Sequence, residues 1–151
     1  MDSLTSTPDA IAAPTLLFRV GANLYGCDIT EAQEIIPLRA ATRLPGAPAY
    51  VRGLINMRGT IVTVLDLGLR LDPSRAQPAR DGSILLVRHE GRLVGLVVDE
   101  VADVRVLDIE DVDGARVAAG GAIVKGMAAI DDGTVAVVVL DLDALIKQVL
   151  L

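Results

Sequence analysis

The segment VRGLINMRGTIVTVLDL, residues 51–67, constrains the fold of this chain more than any other. Two runs with little charge, 53–57 and 60–67, lie on either side of Arg58-Gly59. Extended runs joined by a short connection that contains glycine predict a β-hairpin. The second run is apolar at positions of both parities, at Ile61, Val62, Val64 and Leu65. This pattern favours a strand buried on both faces, as in a small closed barrel.

Composition narrows the class of protein. The chain has 151 residues, of which 52% are hydrophobic, and no apolar run reaches the roughly 18 residues that a membrane-spanning helix needs. One Phe, two Tyr and no Trp leave few surfaces on which nucleic-acid bases stack, and a net charge of -6 repels phosphate backbones. The N-terminus lacks the basic region of a secretory signal. We therefore expect a cytoplasmic protein that binds no nucleic acid and does not insert into a membrane.

Runs of apolar or alternating residues bounded by turn residues predict further strands along the chain. They cover residues 15–20, 24–29, 34–38, 39–44, 83–89, 92–98, 99–107, 122–130 and 134–140. One helical turn is predicted at 47–52, a short helix or turn at 66–71 and a C-terminal helix at 141–150 with Asp141 as its N-cap. Residues 108–121 are expected to form a long surface loop.

The second half of the chain repeats features of the first. Three motifs of the 51–67 segment recur in the same order, as Val124-Lys125-Gly126, Gly133-Thr134-Val135-Ala136 and Leu140-Asp141-Leu142. One supersecondary unit used twice explains this repeat. We therefore expect a mainly all-β fold of two small five-stranded barrels with short helices. The expected divisions are a flexible tail at 1–14, subdomain one at about 15–72, a connector at 72–82, subdomain two at about 83–141 and the helix at 141–150.

Residues that perform catalysis or bind metals are scarce. The single histidine, His89, is predicted to be a solvated surface residue beside a hairpin turn, and Cys27 a small buried hydrophobe. The acidic run between Asp108 and Asp113 does not match the register of an EF-hand loop, and no glycine motif for phosphate binding is present. We therefore expect no enzymatic activity, no metal and no cofactor.

Three segments carry longer motifs: YGCDITEAQEI at 25–35, the 51–67 segment, and LVGLVVDEVADVRVL at 93–107. They resemble, in this order, three motifs of the CheW family, the coupling adaptors of bacterial chemosensory arrays, and the resemblance runs from about residue 15 to 150. Met57 departs from the usual leucine and Thr63 from a frequent proline. Neither departure puts the fold in doubt, because methionine nearly conserves the volume of leucine and loss of a proline removes a strand breaker.

The resemblance implies two SH3-like five-stranded β-barrels and a bridging function. Members of the family join the regulatory domain of a CheA-like histidine kinase to the cytoplasmic tips of methyl-accepting receptors, and CheW-like domains alternate in rings beneath the receptors. The implied receptor-binding residues are Glu34, Ile35, Gly53, Asn56, Arg58 and Gly59. The residues expected to bind the kinase are Gly95, Val98, Val101 and Val104. The expected location is the cytoplasm, with recruitment to membrane-bound receptor arrays.

Three alternatives stay open. Arg58 is either a solvated turn residue or an arginine held by a carboxylate such as Glu34, and the resemblance favours the second, since the family's matching Glu and Arg are thought to act together. The pathway is either chemotaxis or a chemosensory-like system that controls pili, biofilm or development. A small-barrel nucleic-acid binder is an alternative of another class, and the acidic charge and low aromatic content oppose it.

Overall fold

The structure, a computed structural model, describes residues 10–75, 77–110 and 123–150. Within these ranges it contains ten strands, two helices and a 3₁₀ turn at Ile29–Glu31. The strands are β1 (Ala10–Val20), β2 (Asn23–Asp28), β3 (Ala32–Pro37), β4 (Val51–Met57), β5 (Thr60–Asp66), β6 (Ser83–His89), β7 (Arg92–Val98), β8 (Glu100–Glu110), β9 (Val124–Ile130) and β10 (Val135–Leu140). The helices are α1 (Leu67–Leu71) and α2 (Leu142–Leu150). The prediction of a mainly all-β chain with short helices is confirmed.

One five-stranded sheet closes into a barrel with the strand order β1-β2-β10-β9-β8. Strand β10 pairs in parallel with β2 and antiparallel with β9. Every strand of this barrel contributes aliphatic side chains to one buried cluster, formed by Leu17, Leu24, Leu107, Ile109, Ala128, Val137 and Val139. Burial of each larger side chain contributes about 1.5–3 kcal/mol, so the barrel is held mainly by its interior.

The second five-stranded sheet has the order β3-β6-β7-β5-β4, with β5 and β7 parallel. Its buried cluster consists of Ile55, Met57, Val62, Val64, Ala79, Ile84, Leu86 and Val97. The central hairpin is confirmed, because β4 and β5 pair antiparallel from Val51 opposite Leu65 to Met57 opposite Thr60. The expected burial of β5 on both faces is wrong at Ile61, which is 61% exposed.

The two sheets do not follow the sequential division at the 72–82 connector. The chain forms two compact units, one with described residues 10–18, 23–29, 102–110 and 123–150, the other with described residues 19–22, 30–75 and 77–101. The first unit therefore takes the β1–β2 hairpin from the N-terminal half of the chain, and the second takes the β6–β7 hairpin from the C-terminal half. The reason is the parallel pairing of β2 with β10 and of β7 with β5, which places each hairpin beside a strand from the other half.

Three local expectations also differ from the structure. Residues 39–44 do not form a strand, because the chain there makes only an isolated bridge between Thr42 and Leu54 before it reaches Pro45. Residues 47–48 have no regular structure and residues 49–50 form a turn, so the expected helical turn is absent there, and strand structure begins at Val51. Strand β1 begins at Ala10, so part of the expected tail is paired. Most of the expected 108–121 loop lies outside the described residues.

Each helix is preceded by the central aspartate of a repeated Leu-Asp-Leu motif, and that aspartate is its N-cap. The Asp66 carboxylate caps α1 by accepting from the Leu69 N–H at 3.1 Å, and Asp141 caps α2 by accepting from the Ala144 N–H at 3.0 Å. The predicted C-terminal helix is confirmed, and of the two alternatives for residues 66–71 the structure shows the helix. Since an N-cap carboxylate satisfies a free helical N–H, the repeated aspartate is explained by the helix that follows each hairpin.

Asp66 also forms a buried polar network, since its side chain is fully buried and has partners besides the helix. Its Oδ2 accepts from the Ala79 N–H at 3.0 Å and lies 3.4 Å from Arg52 Nη1. The same Arg52 nitrogen donates to the Ala79 carbonyl at 2.8 Å. A buried carboxylate needs such partners to offset its desolvation, and here they fix the end of the 72–82 connector against the second sheet.

His89 is not the solvated residue that the sequence predicts. It ends β6 with 6% of its surface exposed, and its Nε2 lies 3.0 Å from Glu90 Oε2. The inward-facing last position of the strand accounts for this burial. Cys27 is fully buried in β2, as expected.

Candidate functional site

The turn between β4 and β5 has a strained backbone that a side-chain hydrogen bond stabilises. Arg58 and Gly59 both have positive φ, 52° and 87°, the combination that type I′ hairpin turns use. An arginine in this region costs roughly 1 kcal/mol relative to ordinary backbone. The Asn56 side chain offsets part of that cost, since its Oδ1 accepts from the Gly59 N–H at 2.8 Å. The turn therefore holds Arg58 at a fixed place at the end of the hairpin.

The Arg58 guanidinium forms a two-pronged ion pair with Glu34 of β3. Nη1 donates to Oε1 at 3.0 Å and Nη2 donates to Oε2 at 2.7 Å. This parallel arrangement is the strongest geometry between an arginine and a carboxylate. Of the two alternatives for Arg58, the structure supports the arginine held by Glu34.

The pair shifts the ionisation of both groups. The hydrogen bonds from Arg58, and its positive charge after them, lower the pKa of Glu34 although partial burial acts in the opposite direction. The hydrogen bonds to Glu34 likewise raise the pKa of Arg58. Both side chains thus stay charged at neutral pH. Because 71% of the Arg58 side chain and 37% of the Glu34 side chain are exposed, the pair is accessible to a partner.

Apolar surface lies on the strands that carry the ion pair. Ile35 follows Glu34 in β3 and is 44% exposed, while Ile61 stands directly opposite Asn56 in the β4–β5 ladder. Sequence analysis singled out Ile35 but placed Ile61 in the interior. The pairing of Ile61 with a polar residue across the hairpin is the signal that could have revealed it, because cross-strand neighbours share a face.

Gly53 lies at the site for a different reason from the other residues. It is buried with φ of 133°, and a side chain there would meet the Thr42 carbonyl oxygen at 2.0 Å. Glycine is therefore required at position 53 so that segment 38–44 can run close beside β4. The structure brings together five predicted receptor-binding residues on exposed or half-buried positions of β3, β4 and their turn: Glu34, Ile35, Asn56, Arg58 and Gly59.

The four predicted kinase-binding residues differ in solvent exposure. Gly95 and Val98 are buried in β7, Val101 is half-buried, and Val104 in β8 is 49% exposed. A side chain added at Gly95 would meet Ile84 at 2.8 Å, so this glycine serves packing.

On β8 the exposed position missed by sequence analysis is Val106, at 71% exposure. Val104 and Val106 share one face of the strand because side chains alternate. On the alternate positions, Arg105 is held by Asp103 at 3.4 Å and Asp131 at 3.5 Å. Val104 and Val106 thus form an exposed apolar stripe on one face of β8. The alternate positions carry Arg105 and its ion pairs.

Across residues 10–75, 77–110 and 123–150, His, Cys, Asp and Glu side chains form no group of three or more arranged to hold a metal ion. Of the helices that the structure describes, none has both the length and the apolar character to cross a membrane.

Comparison with known proteins identifies the family. A family model described as "CheW-like domain" matches residues 14–150. The chain belongs to the CheW-like domain family.

Two CheW relatives agree with this assignment. The chemotaxis protein CheW of Rhizobium meliloti strain 1021 is 36% identical over 97 residues, which are 64% of this chain and 63% of that protein. The crystal structure of the scaffolding protein CheW from Thermoanaerobacter tengcongensis superposes with a TM-score of 0.76 at 30% identity, covering 87% of this chain and 86% of that one. The match with the Rhizobium protein thus spans just under two thirds of the length of that relative.

A third relative carries another name. The Protein PilI of Pseudomonas aeruginosa is 34% identical over 88 residues, which are 56% of this chain and 47% of that protein. The CheW family consists of non-enzymatic scaffold proteins of the adaptor type, and the structural match confirms the SH3-like architecture of the two sheets.

Proposed function

We propose that this CheW-like chain couples methyl-accepting receptors to a CheA-like histidine kinase in a cytoplasmic chemosensory array. The observation that carries the proposal is the exposed two-pronged Glu34–Arg58 pair, set on a strained turn at the positions that match the family's receptor-facing motif. Strain of this kind persists where the surrounding structure over-determines it, and it clusters at functional positions. The family match over residues 14–150 supports the adaptor role.

The receptor contact combines charge with apolar area. Ile35 and Ile61 supply exposed aliphatic surface, and Arg58 supplies a planar charged group that is already oriented by Glu34. Pre-orientation reduces the entropy lost on docking, and charge complementarity sets the register of the complex more than its affinity. Individual contacts can be weak because a lattice repeats them many times.

The kinase contact is proposed on the exposed face of β8. Val104 is its exposed member, and the neighbouring Val106 extends the stripe. Gly95 and Val98 are buried, so we assign them to the packing of β7 within the second sheet. An adaptor with two such surfaces transmits a signal when its affinity for the receptor differs between receptor states, and the coupling free energy is typically about 1–3 kcal/mol. Other CheW-like domains are proposed to join it in rings.

One relative favours a second candidate pathway. The similarity to Protein PilI supports an adaptor in a chemosensory-like system that controls pili, biofilm or development. The two candidates share the same surfaces and differ in the receptors and kinase that are bound. A nucleic-acid-binding role gains no support from the family match, and the net charge of -6 opposes it.

A reconstituted assay of receptors and kinase tests the proposal. Arg58→Ala is expected to lower receptor binding and receptor-dependent kinase control about tenfold, since it removes a charge-assisted pair at the contact. Val104→Asp is expected to weaken kinase binding about tenfold while receptor binding stays near the wild-type value, because a charge replaces apolar surface.

The control is Arg92→Ala, which removes one exposed positive charge from the start of β7. It should behave like the wild-type protein. All variants are first compared by thermal unfolding, so that loss of fold is separated from loss of binding. Wild-type kinase control by Arg58→Ala together with wild-type kinase affinity of Val104→Asp would refute the proposed coupling role.

A further inference from the structure

Segment 38–44 includes residues 39–44, which sequence analysis predicted as a strand. It runs beside β4 and contacts it at two places. Thr42 and Leu54 exchange two backbone hydrogen bonds, each 2.8 Å long. Nearer the turn, Nη2 of Arg39 donates to the backbone carbonyl of Asn56. With Glu34 bound to Arg58, the stretch from β3 to Thr42 meets β4 and its turn at three successive points in antiparallel order.

These contacts lie between the two edge strands of the second sheet, β3 and β4. Strands β3 and β4 stand at opposite ends of the order β3-β6-β7-β5-β4, and no ladder joins them among the described residues. The corresponding position in the first sheet is occupied by the β8–β9 ladder, which pairs Glu110 with Met127. In the second sheet, two side-chain contacts and the single Thr42–Leu54 bridge therefore stand in place of a continuous ladder where the candidate site lies.

We infer that Arg39 is a positioning residue of the candidate site, which holds the Asn56–Gly59 turn so that Arg58 faces its partner. Arg39 acts through the Asn56 carbonyl, while the Asn56 side chain binds the Gly59 N–H at 2.8 Å. A guanidinium bound to a carbonyl is a charge-assisted hydrogen bond, stronger than a neutral one. Asn56 is therefore bound through its carbonyl to Arg39 outside the hairpin and through its side chain to Gly59 in the turn. A restraint on the Asn56 backbone also restrains the turn.

The inference extends the proposed function, on which its partner-binding part rests. Arg39 is exposed and does not contact Glu34 through any bond described above, so its effect on the ion pair is indirect. If the Asn56 carbonyl is released, the turn gains freedom, and the positive φ at Arg58 relaxes toward ordinary backbone. The Arg58 guanidinium then spends less time in the geometry that Glu34 and a partner both require.

The test compares three variants of the full chain. Arg39→Met keeps most of the aliphatic length and removes the donor and the charge, whereas Arg39→Lys keeps both a donor and the charge. Arg43→Met is the matched control, because Arg43 is an exposed arginine of the same segment and its replacement removes the same charge. Two readouts need no partner: amide hydrogen exchange at Gly59, and the pKa of Glu34 followed by carboxyl NMR.

For Arg39→Met we expect faster exchange at Gly59 by about three- to tenfold, and a Glu34 pKa that moves up toward its ordinary value. Arg39→Lys should restore most of both, and Arg43→Met should change neither. Unchanged Gly59 exchange and an unchanged Glu34 pKa in Arg39→Met would overturn the inference. Equal effects of Arg39→Met and Arg43→Met would also overturn it, because charge alone would then explain the result.

Binding to receptor tips separates this inference from the proposed function. Arg39→Met is expected to weaken binding about three- to tenfold, less than Arg58→Ala, and Arg39→Lys to recover it. If Arg58→Ala binds like the wild-type protein, the proposed function fails, and the two partner-free readouts still decide the role of Arg39. If Arg58→Ala loses binding and Arg39→Met does not, the positioning role is refuted.

Discussion

At the scale of single residues, Glu34 and Arg58 show how a pair can matter for function and little for folding. Their exposed side chains allow water to compete, and exposed ion pairs add little to the free energy of unfolding. Their geometry is nevertheless specific, with two parallel hydrogen bonds and a turn that places the arginine. The pair therefore orients a charge at a surface more than it stabilises the second sheet.

The sign of the pKa shift gives a testable pH dependence. Because the folded-state pKa of Glu34 is lowered, the contribution of the pair is present above the ordinary value of 4.5 and is lost as pH falls through the lowered folded value. We expect the small difference in thermal stability between the wild-type protein and Glu34→Gln to be constant near neutral pH and to shrink only below that ordinary value. Thermal unfolding of both proteins over a pH series measures this. A difference that disappears well above 4.5 would contradict the assigned ion pair.

At the scale of elements, the repeated motifs have separate physical causes. Gly53 and Gly126 stand where another backbone passes, since a side chain would meet the Thr42 carbonyl oxygen at 2.0 Å in one case and the Glu110 carbonyl oxygen at 2.5 Å in the other. Gly59 and Gly133 supply positive φ in the hairpin turns. With the capping aspartates, these account for the three recurring motifs. Local chemistry of this kind is visible in sequence, which is why the hairpins and helices were predictable.

Other features of the elements depend on tertiary contacts that local patterns do not encode. Ile61 resembles its buried neighbours in sequence, but its face of β5 is left uncovered at that end. Residues 39–44 have a strand-like sequence, yet their pairing with a neighbouring strand is limited to the isolated bridge between Thr42 and Leu54. The sequence leaves the Glu34–Arg58 pair as one of two alternatives. The two residues are 24 positions apart, and only the fold brings β3 next to the turn.

The Asp66 cap predicts different costs for the two helices. Asp66→Ala removes bonds to Leu69 and Ala79 and leaves the half-buried Arg52 without its carboxylate. We expect it to lower the free energy of unfolding by about 2–4 kcal/mol. The matched change, Asp141→Ala, removes a cap at a less buried site and should cost about 1 kcal/mol. Urea denaturation of both variants measures the difference, and equal losses would show that the buried network around Asp66 contributes nothing beyond capping.

At the scale of the whole molecule, the sequence repeat and the folded units do not coincide. The order β1-β2-β10-β9 in the first sheet corresponds to β6-β7-β5-β4 in the second, so each sheet joins one hairpin from each half of the chain. A repeat in sequence cannot distinguish this exchange from two sequential barrels, because the hairpins and turns are the same in both. Chain length does not decide either, since the entropy of loop closure grows slowly with length. Only the parallel pairing of β2 with β10 and of β5 with β7 reveals it.

The exchange predicts how the chain behaves when it is divided. A cut between the exposed residues Gln77 and Pro78 leaves β1–β5 on one fragment and β6–β10 on the other. Each fragment then holds two strands of one sheet and three of the other, and a partial sheet cannot bury its apolar face. We expect each fragment alone to be largely unfolded by far-UV circular dichroism, and an equimolar mixture to regain the spectrum and the cooperative unfolding of the intact chain. The intact chain nicked at the same bond while folded is the control, because it should keep its structure until denaturant separates the pieces. If either fragment alone unfolds cooperatively as a barrel, the strands of that half suffice for a unit, and the observed exchange does not determine the folding of this protein.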